Sequence, residues 1–188
     1  AECDRIREKT GREVDLHRQM RMFLEKLGIH ESDSSLSKKL WNVYANSVLS
    51  IKLKVRNGAD SLLNLLKKRG YRVGLVCNTY HTPSSVVRKI LQNVGLYHYF
   101  DVLMFSDEYG WLKPRLEIFL EALSKMGVAT SEAVHVGDRP ELDMLGAKNA
   151  GLKAIHLKLT DRPYPAAFPK PDETIKTLPQ VPQILKKL

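Results

Sequence analysis

Cysteine is nearly missing from this chain: 188 residues hold two, Cys3 and Cys77. Two thiols cannot build a disulfide framework, and their scarcity suits a reducing compartment such as the cytoplasm. Long apolar runs are absent as well; none approaches the ~20 residues that a membrane-spanning helix needs. No secretory leader pattern opens the chain, because the stretch from Ala1 to Arg12 is dense in charge. Acidic residues are the minority, 21 against 30 lysines and arginines, for a formal net charge of +9. A basic surface attracts anions, phosphate esters among them. Nucleic acid is not the expected partner, because the cations are dispersed, as in Lys67-Lys68-Arg69 and Lys186-Lys187, mostly at predicted helix ends. No basic stripe alternates with aromatics and no zinc-finger spacing occurs. There are no internal repeats and no low-complexity tracts.

The chain divides by hydrophobic period. From about Cys3 to Leu53 the pattern is helical, with Leu16, Met20, Phe23, Leu24 and Leu27 at three- and four-residue steps and Gly28 as the stop. Ser32–Ser37 offers capping candidates for a further helix through Leu40, Trp41, Tyr44 and Val48, in which Trp41 and Tyr44 are expected in the core. After about Val55, strands and helices alternate. Strands are predicted at Arg72–Cys77, Asp101–Ser106, Ala133–Val136 and Lys153–Leu157, with an edge strand at Glu173–Leu178. Helices are predicted over Ala59–Arg69, from Thr82-Pro83 to Gly95, from Pro114 to Met126, over Pro140–Ala150 and over Val181–Leu188. Such alternation with short connections predicts an α/β protein with a doubly wound parallel sheet, residues 55–188, behind a small helical module, residues 1–54.

Three strand ends carry chemistry-bearing side chains. His135-Val-Gly-Asp-Arg-Pro-Glu-Leu-Asp143 follows one apolar run, Lys113-Pro114 another, and Cys77-Asn78-Thr79 a third. In open α/β sheets ligands bind outside the carboxyl ends of the strands, where all three would lie. Asp138 could serve as a metal ligand or as a helix cap, and Asp143 as a ligand or as a favourable first-turn acid. Lys113 could offset crowded negative charge. His135, inside a strand, is expected to be packed and hydrogen-bonded, and Glu141 to be a solvated acid.

In joint order and spacing these segments resemble the second, third and fourth signature motifs of the haloacid dehalogenase-like (HAD) hydrolase superfamily. The resemblance covers about residues 55–188 and implies a Rossmann-like core, with residues 1–54 corresponding to the helical cap that some members insert after the first motif. It implies a Mg²⁺-dependent phosphatase or phosphotransferase acting on a small phosphorylated metabolite through an aspartyl-phosphate. Asp138 and Asp143 would hold or support the metal, Lys113 would be catalytic, and Lys113 with Cys77, Asn78 and Thr79 would bind the phosphoryl group. Cys77 departs from the family's Ser or Thr, and S–H is a weaker donor. Either the backbone N–H of Asn78 carries the contact, or Thr79 substitutes, or phosphate binds poorly. Haloacid dehalogenation is a weaker branch of the same resemblance. A binding or regulatory protein on the same scaffold is the alternative from another class.

The family's first motif, a strand ending in Asp-x-Asp whose first aspartate is the nucleophile, does not occur in these 188 residues. In this topology that strand is central, and leaving it out would strand backbone donors and acceptors at about 1–3 kcal/mol each. The expectation is that a segment before Ala1, or a companion chain, fills the slot. That the chain opens on Ala1, within helical patterning, agrees with either a processed protein or a fragment.

Overall fold

The computed structural model describes residues 2–29 and 34–188, the side chains of 34–38 excepted. In chain order the elements are α1 (Glu2–Thr10), α2 (Leu16–Lys26), α3 (Ser34–Asn46), α4 (Ala59–Lys68), β1 (Gly74–Cys77), α5 (Ser84–Asn93), β2 (Val102–Phe105), α6 (Ser106–Tyr109), α7 (Leu116–Met126), β3 (Val134–Gly137), α8 (Leu145–Asn149), β4 (Lys153–Leu157), β5 (Glu173–Ile175) and α9 (Val181–Ile184). The α/β class and the helical start are therefore as the periodicity predicts. Candidate caps Ser32 and Asp33 lie outside the described residues.

All strand pairing is parallel. β1 pairs with β2, and β3 pairs with β4, which pairs with β5, in two separate sheets. Among the described residues β1 and β3 each pair on one side only. Neither strand has a buried residue, whereas four of the five residues of β4 are buried. In a doubly wound arrangement the switch point lies between edges of this kind, where the winding direction reverses.

Period-two alternation assigns each side chain of the second sheet to a face. Ala154 of β4 joins Met104, Ile118, Phe119, Ala122, Met144 and Ala147 under α7 and α8. Ile155 and Leu157, one residue out of phase, pack with Leu62 of α4, Ile175 and Val181 on the other face. Helices thus cover both faces, and α7 also packs on β1 and β2, so one apolar layer joins the two sheets. Gly146 permits the close approach of α8, since a Cβ there would lie 2.4 Å from the Phe119 ring and 3.1 Å from the Pro114 backbone.

Several boundaries differ from the sequence expectation. The helix assigned to Pro114 begins at Leu116, with Arg115 as its cap; Pro114 follows a cis peptide bond and lies outside it. Thr82 does not cap α5: Pro83 occupies that place, and the Ser84 N–H donates instead to the Asp107 carboxylate at 2.8 Å. Long-range polar partners displaced the local ones that the sequence suggested. The segment from Pro140 opens with a π-helical turn, Pro140–Met144, before α8. In the N-terminal module Leu16 and Leu24 are buried, but Phe23, Leu27 and Tyr44 are exposed. Trp41 stacks on His17 rather than entering a core, their rings 5.1 Å apart. The predicted core role of Tyr44 is therefore corrected.

Overpacking by one methyl group costs about 1–3 kcal/mol where neighbours cannot retreat. Gly146→Ala is expected to lower stability by about that amount in urea titration, and Phe119→Leu added to it should restore part of the loss. A Gly146→Ala variant as stable as the parent would refute the close-contact reading.

Candidate active site

Three strand ends converge at the switch point. After β1, the Asn78 side chain spans to the turn beyond β2: its Oδ1 accepts from the Lys113 N–H at 2.8 Å, and its Nδ2 donates to the Lys113 carbonyl at 3.0 Å. The Lys113 ammonium in turn reaches past β3 to Asp143, donating to Oδ1 at 2.7 Å. Both groups are largely withdrawn from water, with 13% and 5% of their side chains exposed. His135 Nε2 lies 3.0 Å from the same Asp143 oxygen, and the Arg139 N–H donates to Oδ2 at 3.0 Å. Gly137 makes room for this carboxylate, because a Cβ there would lie 2.3 Å from Asp143 Cγ.

Burial alone would raise the pKa of Asp143, but the His135 hydrogen bond and the Lys113 charge outweigh it and hold the carboxyl well below the usual range. His135 is pushed down by burial, against the opposing pull of Asp143, with the Lys113 charge adding to the depression. A neutral imidazole next to a carboxylate donates its Nε2 proton to it, and the ring's other contact is edge-to-face on Phe119 at 5.0 Å. His135 is thus packed and hydrogen-bonded, as its place in a strand suggests.

Asp138, directly beyond β3, is exposed at this edge. It is a hard oxygen donor of the kind that Mg²⁺ prefers. Both oxygens of Asp143 accept from protein donors, one of them the Lys113 ammonium. Among the described residues no three His, Cys, Asp or Glu side chains cluster closely enough to hold a metal ion. Asp138 suits a hard cation in chemistry, and the donor set around it is incomplete.

The phosphate-binding candidates separate. Cys77 ends β1, its thiol directed at the Asn78 carbonyl at 3.7 Å, and burial pushes its pKa up. A thiol so disposed is a poor nucleophile. Thr79 turns inward: its backbone N–H donates to Ser106 Oγ at 2.9 Å, and the two hydroxyls are 3.1 Å apart. Glu13 completes that cluster, accepting from Ser106 Oγ at 2.6 Å and from the Tyr80 N–H at 3.2 Å while paired with Arg7 at 2.8 Å.

Glu13, Ser106 and Tyr80 were not singled out by the sequence reading. A hydroxyl directly after the apolar strand ending in Phe105 was a usable signal for Ser106, the same signal that drew attention to Cys77. Nothing local marks Glu13, whose partners, apart from Arg7 and the Val14 N–H, lie 66 or more residues away.

With this geometry in view, known proteins supply the identification. The family description haloacid dehalogenase-like hydrolase matches residues 8–151, and the chain belongs to that family. Pyrimidine 5'-nucleotidase YjjG of Escherichia coli is 36% identical over 131 residues, 69% of this chain and 56% of that protein. A glyceraldehyde 3-phosphate phosphatase of Methanothermobacter thermautotrophicus is 40% identical over 101 residues, 53% of this chain and 42% of its own length. The chain thus spans about half the length of the curated relatives it matches. Among solved structures, a 2-haloacid dehalogenase from Pseudomonas syringae pv. Tomato DC3000 superposes with a TM-score of 0.75 at 27% identity, covering 92% of this chain and 70% of that one. A HAD phosphatase from Thermococcus onnurineus gives 0.63 at 25% identity, covering 90% and 87%.

A carboxyl whose folded pKa lies below its unfolded value adds stability above the unfolded pKa, and that stability is lost as pH falls. For Asp143 the loss is expected to begin near pH 4, the unfolded carboxylate range. Asp143→Asn should flatten that acid limb and, by leaving Lys113 without its partner, cost about 3–5 kcal/mol at pH 7. Stability curves from pH 2 to 7 check both effects; an unchanged acid limb in the variant would overturn the assignment.

Proposed function

We propose that this chain is part of a Mg²⁺-dependent phosphatase for a small phosphomonoester, working through an aspartyl-phosphate. The observation that carries the reading is the Lys113–Asp143–His135 cluster at the switch point, beside the exposed carboxylate of Asp138. A parallel strand pairing with the free edges of β1 and β3 would bring an Asp-x-Asp pair to the same edge. We assign that strand to a segment preceding Ala1 or to a companion chain. Relatives named as phosphatases of glyceraldehyde 3-phosphate and phosphoserine, and as a pyrimidine nucleotidase, support the phosphomonoester class.

Each group then has one task. The strand's first carboxylate would attack phosphorus as the ester bond breaks, and its second would protonate the leaving oxygen and then take a proton from the water that hydrolyses the aspartyl-phosphate. Lys113, held by Asn78 and Asp143, lies against the transferring group and balances its charge. The Asn78 N–H serves as a phosphoryl donor in place of the hydroxyl that Cys77 lacks. A Mg²⁺ ion on Asp138 and the strand's carboxylates would neutralise phosphoryl oxygens. The helical module, residues 1–54, acts as the cap that limits which esters enter.

Hydrolysis of p-nitrophenyl phosphate tests this reading. The protein that includes the strand is expected to turn the ester over with Mg²⁺, to stop with EDTA, and to lose about 10²-fold or more in Asp138→Asn. Cys77→Ser should equal or exceed the parent. Undiminished turnover in Asp138→Asn, or turnover by these 188 residues alone, would refute the assignment. No turnover under any condition would instead favour a binding protein on this scaffold.

A further inference from the structure

Tyr80 is the one non-glycine residue with positive φ among the described residues, at +49°. Nothing in its local sequence calls for that conformation, which is uncommon outside glycine, asparagine and aspartate. Such backbone persists only where the surroundings over-determine it. Here the N-terminal module supplies those surroundings. Its Gln19 Nε2 donates to the Tyr80 carbonyl at 2.7 Å, and Arg7 donates to the same oxygen at 3.3 Å. Glu13 Oε2 accepts from the Tyr80 N–H at 3.2 Å. The Arg7 guanidinium also lies over the Tyr80 ring, 5.1 Å from its centre.

Arg7, Glu13 and Gln19 are themselves withdrawn from solvent, so the clamp is built into the interior of the contact. What it achieves is visible at the other end of the tyrosine. The phenol oxygen accepts from Asn78 Nδ2 at 3.1 Å. That amide nitrogen also donates to the Lys113 carbonyl, and the amide oxygen of Asn78 receives the Lys113 N–H. With both its hydrogens directed at acceptors, the Asn78 amide cannot flip without losing two bonds.

We propose that Tyr80 is a positioning residue: clamped by Arg7, Glu13 and Gln19 of the helical module, it locks the Asn78 amide and thereby fixes the Lys113 backbone at the site. Its effect on turnover rests on the phosphatase reading above; its effect on Lys113 does not. The module then contributes to catalysis without touching substrate, because its docking sets the orientation of the lysine. Remote misplacement of a charge-stabilising group by about 1 Å can cost as much as 10² in rate.

The test uses Tyr80→Phe, which removes one oxygen, and Tyr80→Asn, which suits positive φ but is too short to reach Asn78 as the phenol does. Amide hydrogen exchange is followed at Lys113 by NMR, with β4 as the internal standard, and p-nitrophenyl phosphate kinetics are measured on the protein that includes the strand. Both variants are expected to speed Lys113 amide exchange about fivefold, the worth of one ordinary hydrogen bond, while β4 exchange and the melting temperature of Tyr80→Phe stay unchanged. They should lower kcat about tenfold with KM little altered. Asn78→Ala combined with Tyr80→Phe should be no worse than Asn78→Ala alone. Unchanged Lys113 exchange in both variants overturns the proposal, as does a loss spread equally over Lys113 and β4, which would mark a merely structural role. If the parent protein shows no turnover the phosphatase reading fails, and the exchange result still decides the role of Tyr80.

Discussion

A carboxylate removed from water must find donors, and Asp143 finds them on three segments at once. Lys113 comes from the turn beyond β2, His135 from β3, and the Arg139 N–H from the entry to the π-helical turn. Since the two sheets do not pair with each other, this buried ionic contact is a polar tie between the half built on β1 and β2 and the half built on β3 to β5. The apolar tie is α7, whose Ile118 and Phe119 sit in one cluster with Met104 of β2 and Ala154 of β4. On the proposed function, chemistry and cohesion use the same atoms: the lysine assigned to the phosphoryl group also helps to hold the fold together.

Most of the architecture was legible in the order of residues. Apolar runs of four or five residues between helical stretches located β1 to β4 within two residues, and Gly127, in the left-handed conformation at φ +62°, ended α7 where expected. Those signals are local, which is why they could be read. The failures are where a distant group overrode a nearby one. Thr82 looked like a cap, yet Asp107 bonds the first amide of α5 from another element. Tyr44 had helical spacing, yet it stays exposed on α3 because the module offers too little surface to bury every apolar position.

The site was legible in part for the same reason. Lys113, Asp138 and Asp143 announced themselves by following apolar runs, and the structure brings Lys113 and Asp143 into contact with Asp138 exposed nearby. Asn78 was expected to bind phosphate, and its side chain is spent on the Lys113 backbone. Thr79, read as a stand-in donor, points away toward Ser106. Neither preference is encoded in the tripeptide Cys77-Asn78-Thr79; both depend on what β2 and the N-terminal module place opposite it.

The cluster around Glu13 also limits motion. Arg7 and Glu13 pair at 2.8 Å with 5% and 3% of their side chains exposed, and Glu13 holds Ser106 and Tyr80 of the α/β core at the same time. Swinging the helical module away as a rigid lid would take Glu13 from Ser106 and the Tyr80 N–H, and Gln19 from the Tyr80 carbonyl, while Arg7 stayed paired with Glu13. Hydrogen bonds to a charged group are worth about 1.5–3 kcal/mol each, so the closed seam is the favoured form. On the proposed function, traffic to and from the switch point meets a latched door, and flexing α2 and α3 beyond Gln19 would disturb fewer of these contacts than opening at the seam that Glu13 closes.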